Sequence, residues 1–275
     1  LWKEHPLKDL TWYETEKASI SDEELAQEID LSYTKSREGR VYSEWNEQNV
    51  VRGNFPYMDE STLYVGWDFG KTDDTAIIWA QKDKANRLRI VDTYRNVGKN
   101  IDFYIPFITG IISSDLEAKY HYNPLELEII YEHKEWRRGT HFGDPSGRFV
   151  NMVSDETVFS VLKHAGIMVN FKERWQAFPI RKHSTKRLIL EGINLNDNAR
   201  TQYFNICILN AAYPKVRHEG AQIVKSEKPK HDFTSHYRSA FEYLALGLEE
   251  GTGRRATPTD KIPVRAMNPR RAMSY

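Results

Sequence analysis

The 275-residue sequence holds a single cysteine, Cys207. One thiol excludes a disulfide framework and a cysteine-based zinc site, and it fits a reducing compartment. No run of about 18 apolar residues occurs, so no membrane-spanning helix is expected. Net charge is also missing, with 39 Lys and Arg balanced by 39 Asp and Glu. The opening LWKEHPLKDL has no initiator Met and no charged-then-apolar leader. It reads as a piece of a longer chain with no signal peptide. What is present is 40% apolar and 12% aromatic residues, enough to pack one ordinary domain with extra segments or two small ones.

The zero balance conceals a gradient. Residues 1–60 carry 7 basic and 14 acidic groups, residues 61–170 carry 13 and 15, and residues 171–275 carry 19 and 10. The basic last third contains two clusters. Lys172, Arg174, Arg181, Lys182, Lys186 and Arg187 lie near Trp175 and Phe178; Lys215, Arg217, Lys225, Lys228 and Lys230 follow. Such clusters are a footprint for a polyanion or, equally, a solvated basic surface. Base-reading motifs are absent, so any nucleic-acid contact implied is with phosphate.

Residues 1–60 are acidic with little apolar periodicity. Ser21-Asp22-Glu23-Glu24 marks a helix start, expected to run to about residue 31. From there through Gly53 and Pro56 the chain reads as an extended connector. The runs 63–68, 75–80 and 88–94 then alternate as strands, and the polar turns GKTDD and KDKANR between them predict antiparallel pairing. Helices are expected over 101–112, 124–136, 156–165, 186–193, 202–212 and 235–248. A fourth strand is expected at 140–144, a fifth at 167–170 and a hairpin arm at 222–225. Residues 251–275 read as a loosely packed basic tail. The resulting class is α/β, a mixed sheet of five strands covered by helices.

Chemistry is expected at the ends of strands. Asp68 closes the first strand, Asp144 the fourth, and Asp232 precedes the last helix. Converging carboxylates repel unless cations balance them, and hard divalent cations prefer oxygen ligands. Two such ions about 4 Å apart activate water and stabilise the leaving oxygen of a phosphodiester. Taken singly, each Asp also suits a turn or a helix cap.

Other motifs weigh less. Gly66-Trp-Asp-Phe-Gly70-Lys71-Thr72 has three residues between its glycines where a phosphate loop needs four. Asp68-Phe-Gly70…Thr75 has the look of an actin-like phosphate loop, but no second loop accompanies it. His236, four residues after Asp232, suits either a carboxylate-orienting role or a helix-terminal hydrogen bond. Asp73 and Asp74 fit an extra ligand or a plain hairpin turn, the turn being the default.

Three strings together, YVGWDFGKTDDTAIIWA, HFGDPSGR and KPKHDFTSHYRSAFEYLALG, resemble the nuclease domain of phage large terminase subunits over roughly residues 60–250. The resemblance implies a ribonuclease H-like fold and a metal-dependent endonuclease acting on double-stranded DNA during genome packaging. It implies Asp68, Asp144 and Asp232 as ligands of two Mg²⁺ or Mn²⁺ ions. Partners implied are the portal and the small terminase subunit, inside the host cytoplasm, with no membrane contact. Ser239 departs from the family, whose final helix often carries Asp there. Residues 1–60 resemble the end of a motor domain and its linker, and the Walker motifs are missing, so no ATP hydrolysis is expected. The alternatives are a resolvase-like junction nuclease, a DNA-binding scaffold with a degenerate site and an actin-like nucleotide-binding module.

Overall fold

Apolar runs long enough to be buried on both faces produce the central strands. In a computed structural model describing residues 39–70, 73–148, 156–214, 217–219, 222–224 and 228–251, the strands are β1 (Val50–Gly53), β2 (Leu63–Asp68), β3 (Asp74–Lys82), β4 (Leu88–Val97), β5 (Thr140–Gly143), β6 (Val169–Asn170) and β7 (Ile193–Asn196). They form one sheet in the order β1-β7-β4-β3-β2-β5-β6. β2, β3 and β4 pair antiparallel as expected, and every other neighbouring pair is parallel. Only β3 therefore runs against the rest, and the carboxyl ends of β2 and β5 lie side by side. A separate hairpin joins β8 (Arg217–Glu219) to β9 (Gln222–Val224), where the arm at 222–225 was expected.

Helices cover both faces. They are α1 (Ile105–Thr109), α2 (Ser114–Lys119), α3 (Pro124–Glu132), α4 (Val158–His164), α5 (Phe178–Leu190), α6 (Ala199–Asn210) and α7 (Ser235–Glu250). On one face Ala76, Ile78, Ile90 and Phe142 pack with Leu188, Phe204, Phe241 and Leu244 from α5, α6 and α7. On the other, Val65, Trp67, Ile77 and Trp79 pack with Phe107, Ile129, Ile130 and Leu162 from α1, α3 and α4. Among the described residues, no helix is long and apolar enough to cross a membrane.

The structure corrects several expectations. The sheet has seven strands, not five. From residue 41 the stretch read as a connector is built into the domain: Tyr42 and Trp45 are buried, and β1 pairs in parallel with β7. The helix expected over 186–193 is α5, which begins earlier; Gly192, at φ +99°, turns the chain out of it into β7. The helix expected over 101–112 is a 3-10 turn, Ile101–Tyr104, followed by α1, which Gly110 ends at φ +66°. The helix expected from Ser21 and the tail from residue 252 lie outside the described residues.

Candidate active site at the carboxyl edge of the sheet

Strand alternation and two close approaches put the site together. Gly66 on β2 has no side chain where α7 crosses; a Cβ there would stand 2.6 Å from the Ala240 carbonyl oxygen and 2.8 Å from Leu244 Cβ. Gly247 on α7 makes the reciprocal concession, lying where a Cβ would collide with the Phe142 ring of β5. Residues 66 and 142 thus face α7, and so do the next same-face positions, 68 and 144. Trp67 pairs with Gly143, so Asp68 and Asp144 follow at the ends of neighbouring strands about 4.8 Å apart. His236 stands one helical turn before Ala240, and seating α7 on Gly66 brings its ring to Asp68.

His236 Nδ1 lies 2.9 Å from Asp68 Oδ2, with the side chains 11% and 14% exposed. An ionised carboxylate only accepts, so with Asp68 ionised the proton of this contact is on Nδ1. Burial pushes the Asp68 carboxyl up from its ordinary range; the bond and charge of His236 and the charge of Arg181 oppose this, while Asp144 adds to it. Burial alone would lower the His236 pKa, but the Asp68 bond and the charges of Asp68, Asp74 and Asp73 raise it overall. At this edge of the sheet burial outweighs what His236 and Arg181 offer the Asp68 carboxylate. Asp144 Oδ1 accepts from the Ser146 amide at 2.9 Å, which fixes the PSGR turn after β5.

Two predicted positions have other engagements. Asp232 Oδ1 accepts from the Thr234 amide at 3.0 Å and from its hydroxyl at 2.7 Å, and the Asp232 amide donates to Ser235 Oγ at 2.8 Å. Asp232 thus shapes the entry to α7, and His236, four residues on, makes the contact with Asp68. Asp74 pairs with Arg95 at 3.0 Å. Asp73 instead faces two histidines: Oδ2 is 3.1 Å from His231 Nε2 and Oδ1 is 3.8 Å from His236 Nε2.

Arg181 is a neighbour that sequence reasoning placed only within a basic cluster. Its Nε lies 2.9 Å from Glu242 Oε2 on α7, and its Nη1 donates to the Tyr243 hydroxyl at 2.6 Å. Glu242 is wholly buried and also accepts from the Tyr42 hydroxyl at 2.8 Å. The guanidinium is thereby held where Asp68 and Asp144 both act on it. No sequence spacing announces this, because α5 and the strand ends meet only in three dimensions. The rest of that basic cluster is largely consumed internally. Lys172 and Arg174 pair with Glu250, Lys186 with Glu44, and Arg187 with Glu249. In the second group, the side chains of Lys215, Arg217 and Lys225 lie outside the described residues.

With this geometry in view, solved structures give the fold a relative. The large terminase of a thermophilic bacteriophage superposes with a TM-score of 0.51 at 17% identity, over 77% of this chain and 45% of that one. The fold is that of part of a phage large terminase. A second crystal form of the same terminase gives 0.50 at 14% identity over the same shares, and the P22 large terminase nuclease domain gives 0.48 at 13%, covering 79% of this chain and 95% of that one. The chain spans under half the length of the thermophilic phage's terminase. The terminase likeness agrees with the α/β class, a mixed sheet covered by helices, expected from the sequence. No protein-family model and no curated protein matches the sequence.

Proposed function

We propose that this chain is a metal-dependent endonuclease that cuts double-stranded DNA during viral genome packaging. The observation that carries the reading is the pair Asp68 and Asp144, on one face at adjacent parallel strand ends, with the Asp68 carboxyl driven up by burial and by its neighbour. The donor set fits hard divalent cations: oxygen ligands, two adjacent acids, and a carboxylate whose ionisation a cation would favour. Asp68, Asp144 and Asp232 are the residues that would hold two Mg²⁺ or Mn²⁺ ions. When bound, such ions supply a hydroxide-like nucleophile and balance charge on the phosphate.

The protein's own groups prepare that chemistry. His236 fixes one oxygen of Asp68 through its Nδ1 proton, which leaves the other oxygen directed by a locked side chain. Arg181, held by Glu242 and Tyr243, supplies a fixed positive charge beside both acids. Asp144 is oriented by the turn that follows it. The likeness to a large terminase supports DNA as substrate and, with it, the portal and small subunit as partners in the host cytoplasm.

The test is digestion of supercoiled plasmid in Mg²⁺, Mn²⁺ or EDTA. Wild type nicks in metal and not in EDTA, and Asp68→Ala and Asp144→Ala both lose nicking while remaining folded. Undiminished nicking in these variants would overturn the assignment. A preference for branched over linear duplex would move the activity to the junction-cutting alternative.

A further inference from the structure

Beside the acidic edge stands a patch of the opposite chemistry. Phe233, in the turn between Asp232 and α7, is 48% exposed, and Val97, Tyr203 and Ile206 are exposed as well. None of the four joins either core. Arg95 gathers them. Its Nη1 donates to the Phe233 carbonyl at 2.7 Å, and its guanidinium carbon lies 4.9 Å from the centre of the Tyr203 ring. Val97 follows two residues later on the same face of β4. Cys207, next to Ile206, directs its thiol at the Phe233 carbonyl from 3.6 Å. Single exposed apolar residues need no explanation, but a group collected around one guanidinium does.

The turn that presents Phe233 is held on both sides. Asp232 Oδ1 accepts from the amide and hydroxyl of Thr234, and Arg95, which grips the Phe233 carbonyl, is itself paired with Asp74 at 3.0 Å. The ring therefore projects from a fixed backbone, and little further order is lost when something packs against it. Its place is at the candidate active site: His236, three residues on, lies 2.9 Å from Asp68.

We propose that Phe233, backed by Arg95 and Tyr203, is a stacking platform for an unpaired nucleobase beside the phosphodiester to be cut. The proposal rests on the reading of the chain as a DNA-cutting enzyme, and it names the form of DNA that enzyme prefers. Aromatic rings and a guanidinium offer π-faces and a cation that every base can use. Such a contact separates unpaired from paired DNA without reading sequence, in keeping with the lack of base-reading motifs. In an intact duplex each base face is covered by its neighbours, so the ring gains a partner only where a base is unstacked. A protein seated on Phe233 would instead stand over the acidic edge that the phosphodiester has to reach.

The experiment is fluorescence anisotropy of the full chain, at low salt in EDTA so that binding is read without cutting. The probes are a labelled blunt duplex and the same duplex with a short unpaired bubble. Wild type, Phe233→Ala, Phe233→Leu and Tyr203→Ala are compared, with plasmid nicking by wild type and Asp144→Asn measured in Mn²⁺ alongside. Wild type is expected to bind the bubble more tightly than the duplex. Phe233→Ala and Phe233→Leu should weaken bubble binding at least about fivefold, the low end for one stacked base, with duplex binding little changed. Tyr203→Ala should act in the same direction. No preference for the bubble in wild type, equal losses on both DNAs, or full affinity in Phe233→Leu overturns the platform. If nicking is absent or ignores Asp144 while bubble binding depends on Phe233, the nuclease reading falls and the platform stands. If nicking depends on Asp144 while bubble binding ignores Phe233, the platform falls and the patch is left to a protein partner.

Discussion

Two Asp–His pairs of nearly equal length stand among the described residues, and they have opposite characters. Asp68–His236 spans 2.9 Å and Asp92–His133 spans 3.0 Å. Around Asp92, burial would raise the carboxyl, but His133 and Arg200 bonds pull it below its ordinary range. Arg200 reaches both oxygens, at 2.6 and 2.9 Å, and the Thr93 amide adds a third donor. Around Asp68, burial prevails and the carboxyl is raised. His133 is closed between Trp136, stacked at 3.8 Å, and Trp79, edge-on at 4.6 Å, whereas His236 opens onto exposed Asp73 and His231. An acid–histidine contact by itself therefore indicates neither structure nor chemistry. What separates them is whether the surrounding donors complete the carboxylate or leave it short of positive charge.

Breaking the completed pair should have the largest effect. Asp92→Ala strands Arg200 and His133 without their acceptor, and it should cost about 3–5 kcal/mol of stability in urea unfolding. The contribution has a defined pH window. Because the folded value lies below the ordinary one, stabilisation is complete above about pH 3.9 and fades as pH falls through the folded value. The gap between wild type and Asp92→Asn should accordingly narrow below about pH 4. A gap that widens in acid would mean that Asp92 is not the anion of this cluster.

A smaller effect is expected where helix and strand meet. Gly66→Ala puts a Cβ against backbone and Leu244, which should cost about 1–3 kcal/mol and lift α7 from β2. The Asp68–His236 contact should loosen with it, seen as a shifted His236 imidazole resonance, while His133 stays unmoved. The smallest effect has the opposite sign. Ionised Asp68 is disfavoured in the folded chain, so its penalty appears as pH rises above about 3.9 and through the raised folded value. Asp68→Asn should therefore melt slightly higher than wild type at neutral pH in EDTA; a clear fall in melting temperature would show that the pair is structural like its counterpart.

Legibility in the sequence followed the range of the interactions. The meander β2–β3–β4 was readable because its apolar runs and polar turns are local, and Asp68 and Asp144 were readable because each ends such a run. β1 and β7 were not, since four-residue strands as polar as Val50–Gly53 and Ile193–Asn196 exist through pairing with each other and with β4. Gly192 was the one local signal that a helix stopped before β7. At the site, the turn that Asp232 makes before α7 was foreseeable from its neighbours Thr234 and Ser235. The union of His236 with Asp68 was not, because it depends on α7 sinking onto Gly66, which lies far from Ala240 along the chain. The ion pairs that absorb much of the basic cluster on α5 and just before it are equally non-local, linking it to Glu44, Glu249 and Glu250.

The most direct measurement of the central claim is the melting temperature of wild type and of the Asp68→Asn/Asp144→Asn double variant, with and without saturating Mg²⁺. An ion held by these acids in the folded chain stabilises it by mass action, about 2.7 kcal/mol at a hundredfold excess over the dissociation constant. The account predicts a Mg²⁺-dependent rise in wild type that the double variant lacks. An equal rise in both proteins would contradict it.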